Sequence, residues 1–424
     1  MIADIVVKNI SQLITLEGEN RPRVGKEMME IGLIENGILA IKDGVIKYVG
    51  QGELPSNIQM DNDTQIIDGK GKTVTPGLVD PHTHLVHGGS RENELDMKLK
   101  GAKYLDILKA GGGIHSTVKS TKGASFEELY KKAEKSLNTM LEFGMTTVEA
   151  KSGYGLDTET ELKQLRVAKK LNENHPADIV STFLGAHAIP TEYKGNVDEF
   201  VDIVVNDMMP KVQEEKLADF CDVFCEEGVF TVEQTKKILN AAKKYGMKSK
   251  LHADEIEPLG GAELSADVEA ISADHLVAAS EKGMEMMAEK GVIADLLPGT
   301  SFNLGMGKFA NARRMIELGV PVALSTDYNP GSCPTENIQF IMTLASLRMK
   351  MTPEEVITAV TINSACSIGR QEEIGSIAVG KKADLAIFDS PNISYIIYHF
   401  GINHIDKVIK NGQLVVDNGK IINV

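Results

Sequence analysis

The sequence predicts an α/β protein: a (β/α)8 TIM-type barrel joined to a small composite β-sandwich domain built from both chain ends. Three observations predict it. Eight apolar strand-like runs alternate with helix-like stretches through the middle of the chain, both ends are rich in short strands separated by turns, and polar residues gather where the central strands finish. Strands alternating with amphipathic helices imply a parallel sheet, and eight such units can close into a barrel.

In the amino-terminal segment, residues 1–74, strands are expected at 4–7, 37–41, 45–50 and 65–69. Lys42-Asp43-Gly44 separates two alternating runs and fits a hairpin turn. Residues 376–424 read the same way, with strands at 383–388, 405–412 and 414–416. Neither end alone holds enough strands to be stable, so the two are expected to pair into one domain with the termini close together. Residues 75–375 form the barrel domain, with strands at 77–84, 146–151, 179–187, 221–226, 248–252, 272–275, 292–295 and 320–327. Helices are expected at 125–143, 158–172, 231–245, 261–269 and 310–318, several opened by a Ser or Thr cap.

Composition narrows the function classes. With 424 residues, 42% of them hydrophobic, the chain can bury a large core. Its four cysteines, Cys221, Cys225, Cys333 and Cys366, form no Cys-x-x-Cys pair, which argues against a zinc ribbon, a redox motif or a disulfide framework. No apolar run approaches the ~18 residues of a membrane helix, and the start lacks signal-peptide features, so a cytoplasmic protein is expected. A net charge of −15 argues against a nucleic-acid surface, which needs clustered Lys and Arg. An acidic protein that binds a small anion must hold a local cation in its pocket, so individual arginines matter.

The chemistry gathers at strand ends, where barrel enzymes carry their reactive groups. Pro76-Gly77-Leu78-Val79-Asp80-Pro81-His82-Thr83-His84 ends an apolar run in two histidines one residue apart. On a strand, positions i and i+2 face the same way, so two imidazoles can grip one cation. A lone His-x-His is ordinary on a surface, but His252, His275 and Asp327 end three further strands. Imidazoles with a carboxylate suit one Zn²⁺ or Fe²⁺ ion that keeps a position open for water.

These residues resemble the amidohydrolase superfamily over nearly the whole chain, with Gly380-Lys381-Lys382-Ala383-Asp384-Leu385 resembling the return into its small β-domain. A second set is similar to the imidazolonepropionase family within it. That set comprises Gly88-Gly89-Ser90-Arg91-Glu92, Ala110-Gly111-Gly112-Gly113-Ile114, Lys151-Ser152-Gly153-Tyr154-Gly155, Leu184-Gly185-Ala186-His187-Ala188 and Ser325-Thr326-Asp327-Tyr328-Asn329-Pro330-Gly331-Ser332. Lys119 and Lys122 stand where arginines would be expected.

The resemblance implies metal ligation by His82, His84, His252 and Asp327, with Glu255 as proton shuttle and His275 holding the water or polarising a lactam carbonyl. It implies substrate contacts at Arg91, Tyr104, Tyr154, His187, Glu255, Asn329, Gly331 and Ser332, and a homodimer. The implied reaction is hydrolytic opening of 4-imidazolone-5-propanoate, a small anion whose propionate suits the planar fork of Arg91. Glu226 and Glu227 end the fourth strand, where a second metal would be bridged in binuclear relatives; no lysine stands there to be carboxylated, which favours one ion.

Blander readings remain beside these. His187 could be a hydrogen-bonded core histidine, and Tyr104 and Tyr154 could be packing groups. The Gly111–Gly113 run lacks a following Gly-Lys-Ser/Thr and reads as a mobile loop over the site. His115, His175, His399 and His404 read as ordinary. Two rival functions stay open, a cytosine- or guanine-type deaminase on the same metal centre and a catalytically dead scaffold.

Overall fold

The computed structural model describes residues 1–101, 112–305 and 307–422, with all their side chains except that of Lys98. Tyr104 and Gly111 therefore lie outside the described residues.

Alternating apolar positions build the strands of both ends. The amino-terminal end supplies β1 (Ile5–Ile14), β2 (Leu33–Lys42), β3 (Val45–Gln51), β4 (Gln65–Asp68) and β5 (Thr73–Pro76). The central chain gives β6 (Leu78–Asp80), β7 (Met145–Lys151), β8 (Asp178–Ala186), β9 (Phe220–Cys225), β10 (Lys248–Ala253), β11 (Ser272–His275), β12 (Ile293–Leu296) and β13 (Val322–Leu324). The carboxyl end adds β14 (Leu385–Phe388), β15 (Ile405–Lys410), β16 (Gln413–Asp417) and β17 (Lys420–Ile421).

Among the described residues, the end strands form one nine-stranded sheet in the order β17-β16-β15-β14-β5-β1-β2-β3, with β4 paired to β1. The two chain ends meet where β5 and β14 pair antiparallel, Thr75 opposite Ala386. Val7, Leu13, Leu39, Ile41, Leu385, Ile387 and Ile409 pack into a core of its own. In this order β5, β14, β15 and β16 lie between β1 and β17. The β2–β3 turn is as tight as its residues suggest, with Asp43 and Gly44 at φ 52° and 74°. Both central residues are left-handed, as a two-residue hairpin whose twist matches its strands requires.

The barrel strands run in chain order from β6 to β13, all parallel. β6 and β13 are much shorter than the expected 77–84 and 320–327. Pro81 has no N–H for a ladder, and the Asp80 carboxylate takes the N–H groups of His82 (3.4 Å) and Thr326 (3.2 Å) instead. Beyond those ends the chain closes the barrel itself: Thr83 bridges Tyr328, His84 N–H donates to Tyr328 O at 2.8 Å, and Asp327 N–H donates to His82 O at 3.1 Å. His82 and His84 thus lie past the strand on an extended segment, still one residue apart and both buried.

The helices surround this sheet. Phe126–Glu142 starts with a capping box: Ser125 accepts Glu128 N–H, and Glu128 accepts Ser125 N–H at 2.8 Å. Thr231 and Gln234 do the same for Val232–Lys244. Thr158–Asn174 is capped by Asp157, not by Thr158. The four cysteines are buried and free. Among the described residues, no helix is long and apolar enough to cross a membrane.

Candidate metal centre

The strand exits bring five imidazoles together: His82 and His84 after β6, His187 after β8, His252 in β10 and His275 at the end of β11. Ring centroids lie 4.5 Å apart for His82–His252, 4.8 Å for His84–His187 and 5.1 Å for His252–His275. Asp327, after β13, places one carboxylate oxygen 3.6 Å from Nε2 of both His82 and His84. His275 and Asp327 have φ of 73° and 53°, a region non-glycine residues seldom enter and that clusters at functional sites.

Hydrogen bonding fixes which nitrogens face inward. His82 Nδ1 lies 2.6 Å from Asp274, and His252 Nδ1 lies 2.9 Å from Asp222. A carboxylate there makes Nδ1 the donor and leaves the lone pair on Nε2. Both Nε2 atoms are buried and without a hydrogen-bond partner. Such lone pairs are costly unless an electrophile takes them, and a borderline cation fits imidazole nitrogens with one carboxylate oxygen. Donor atoms of His82, His84 and Asp327, and of His82, His252 and His275, lie within 4.8 Å of one another. The cluster has the donor set of a metal-binding site.

Behind it the barrel interior is ionic. Lys151 Nζ lies 2.8 Å from Asp222, 3.0 Å from Glu149 and 3.3 Å from Asp274. Lys250 Nζ lies 3.2 Å from Glu149 and 3.5 Å from Asp295. Burial alone would raise the Asp222 carboxyl, but His252 and Lys151 hold it well below the usual range. One lysine therefore backs both carboxylate–imidazole pairs. On the cavity side, burial pushes Glu255 up to about 8, with the Asp327 carboxylate adding to the rise. Glu255 Oε2 stands 3.7 Å from His275 Nε2.

A cavity of about 1380 Å³ opens over the cluster, lined among others by Arg91, Tyr154, His187, Asn329, Gly331 and Ser332. The side chain of Asn329 shapes its own loop, accepting N–H groups from Gly331 at 2.8 Å and Ser332 at 2.7 Å. His187 Nδ1 donates to Gly153 O at 3.0 Å, and burial lowers the ring to about 3, so it is neutral. The structure thus gathers every described residue that the sequence nominates; Tyr104 falls outside the described residues.

Some residues with a part in the site escape sequence reasoning. Buried Glu161 accepts N–H groups from Gly153, Gly155 and Leu156 at 2.7–2.8 Å and so fixes the Tyr154 loop. Glu226, considered from the sequence only as a place for a second metal, accepts from Glu227, Ile256 and Glu257 at 3.0–3.2 Å, bracing the segment after Glu255. Glu94 grips Arg91. His115, expected to be ordinary, lines the cavity with Lys119. Lys250 did carry a signal, because it stands two residues before His252 and a strand puts both on one face.

Comparison with known proteins shows the family and the fold. Residues 73–415 match the model of the amidohydrolase family. Curated imidazolonepropionases from Alkaliphilus metalliredigens (strain QYMF) and Alkaliphilus oremlandii (strain OhILAs) are 64% and 60% identical to this chain, covering 100% of both chains in each case. One from Geobacillus sp. (strain WCH70) is 57% identical over 98% of this chain and 99% of its own. Among solved structures, an adenosine deaminase from Xanthomonas campestris with bound zinc is similar at a TM-score of 0.72 and 19% identity, covering 100% of this chain and 95% of its own. An atrazine chlorohydrolase from Arthrobacter aurescens TC1 complexed with zinc is similar at 0.70 and 18%, covering 99% and 97%. At that identity the structural likeness speaks to the fold.

Proposed function

This chain belongs to the amidohydrolase family, and within it we infer that the chain hydrolyses the ring amide C–N bond of 4-imidazolone-5-propanoate to N-formimidoyl-L-glutamate, in histidine degradation. End-to-end similarity to imidazolonepropionases carries this reading. In our assignment His82, His84, His252 and Asp327 hold one divalent ion, Zn or Fe. When bound, such an ion brings a water toward ionisation at neutral pH and polarises a neighbouring carbonyl.

The protein's own groups do the rest. Glu255 takes a proton from the attacking water, whose oxygen bonds to the lactam carbonyl carbon. The bond from that carbon to the ring nitrogen breaks, its electron pair stays on nitrogen, and Glu255 delivers the proton there. Burial raises the Glu255 carboxyl and so helps it hold the proton between the two steps. His275, 3.7 Å from Glu255, orients the water or the carbonyl oxygen. Arg91 receives the propionate, and Tyr104, Tyr154, His187, Asn329, Gly331 and Ser332 complete the substrate pocket.

We assign a single ion because β9 ends without a lysine, and Glu226 beside it already accepts three backbone N–H groups. We also propose a cytoplasmic homodimer. A cytosine- or guanine-type deaminase would share the centre but leave Arg91 without a task. Turnover of imidazolonepropionate and elemental analysis of the same sample test the reading. Ring opening with one ion per chain is expected. Faster deamination of cytosine or guanine would overturn the substrate, and two ions per chain would overturn the single-ion assignment.

A further inference from the structure

Glu94 is the second residue of the helix Asn93–Leu99 and only 2% exposed, although the proposed chemistry calls for no carboxylate there. Its two oxygens take Nε and Nη2 of Arg91, each at 2.9 Å. Oε1 also accepts the N–H of Gly113 at 2.7 Å. From the opposite side, Gly331 leaves no room: a Cβ there would lie 2.0 Å from Arg91 Nη1. Arg91 is therefore held between a bidentate carboxylate and a bare backbone, with the Nε side of its fork already used. Nη1 takes no part in the grip of Glu94, and Arg91 lines the cavity with Asn329, Gly331 and Ser332.

Resting on the function proposed above, we propose that Glu94 is a positioning residue that presents the Nη1–Nη2 edge of Arg91 to the carboxylate of the substrate. A guanidinium ordered in advance loses less rotamer freedom when the anion arrives, and its planar fork discriminates carboxylate by geometry. Glu94 also offsets much of the charge of Arg91, so recognition depends on two aligned hydrogen bonds more than on net attraction. The Gly113 contact ties this anion subsite to the start of the helix Ile114–Gly123.

The test is steady-state kinetics of the holoenzyme with imidazolonepropionate for Glu94→Gln, Arg91→Met and the double variant Arg91→Met/Glu94→Gln. Misaligning one charge-assisted hydrogen bond should raise KM about tenfold in Glu94→Gln, with kcat within about twofold and metal content unchanged. Glu94→Gln should add nothing to KM once Arg91 is Met, an outcome that a merely structural role would not produce. A KM within about twofold of wild type in Glu94→Gln, or a full additional loss in the double variant, overturns the assignment of Glu94. If the wild type opens the ring, such a result leaves the function standing; if it does not, both fall together.

Discussion

Glu255 shows how surroundings give one carboxyl its task. Burial and Asp327 lift it to about 8, while His275 stands 3.7 Å away. Glu255→Gln keeps the shape and ends proton transfer, so kcat should fall by about 10²–10⁴-fold with the metal content intact. Near-normal kcat in that variant would remove Glu255 from the mechanism. Arg91→Met tests substrate identity: a charge-assisted hydrogen bond of about 1.5–3 kcal/mol corresponds to a loss of about tenfold to a hundredfold in kcat/KM. Lys at that position should restore only part, and an analogue lacking the propionate should barely distinguish the variants. His175 offers a check away from the site. It accepts Ala177 N–H at 3.0 Å, and burial lowers it to about 4. The unfolded chain, with His near about 6.5, binds a proton that the folded chain refuses between those values. The stability that neutral His175 contributes is whole above about 6.5 and drains away as the pH falls toward 4. His175→Gln should therefore flatten the decline in the urea midpoint across that window, and an unchanged slope would refute the attribution.

At the scale of elements, period and caps were legible and lengths were not. Apolar runs ending in polar residues locate all eight barrel strands, and Ser125 and Thr231 mark the helix starts that they cap. Ser125→Ala should cost about 1 kcal/mol in the denaturation midpoint and leave kcat alone. The short β6 and β13 could not be foreseen, because the Asp80 carboxylate that replaces their ladder bonds reaches Thr326, far along the chain. Glu94 and Glu161 stay hidden for another reason. A glutamate in a helix looks like a solvated face, and only the loop folded against it reveals a buried acceptor. Histidines announced themselves because their spacing is local; the groups that aim them did not, since Asp274 and Asp222 lie on other strands than His82 and His252, which they hold, and carry no motif.

The whole molecule is two sheets joined where Lys410 of β15, nearly fully buried, meets Asp178 of β8 at 2.7 Å and Asp384 at 2.6 Å. Within the barrel, consecutive strands pair in parallel ladders, β6–β7 and β8–β9 each with a register shift, and the first and last strands share no ladder among the described residues. Between β6 and β13 there is a seam, crossed by the Thr83–Tyr328 bridge and the bonds from His84 to Tyr328 and from Asp327 to His82. The proposed ligands stand on both banks of it, His82 and His84 on one and Asp327 on the other. An ion there would act as a clasp on the cylinder, and its loss should change how the fold breathes more than how it looks. In chelated protein, amide hydrogens of His84 and Asp327 should exchange with solvent markedly faster than those of the Leu251–Ala273 ladder, and equal protection with and without metal would refute the idea. The corollary concerns lifetime: metal-starved protein should be nicked first by proteases near Thr83, in the middle of its barrel, so supply of the ion would govern how long the chain survives as well as how fast it turns over.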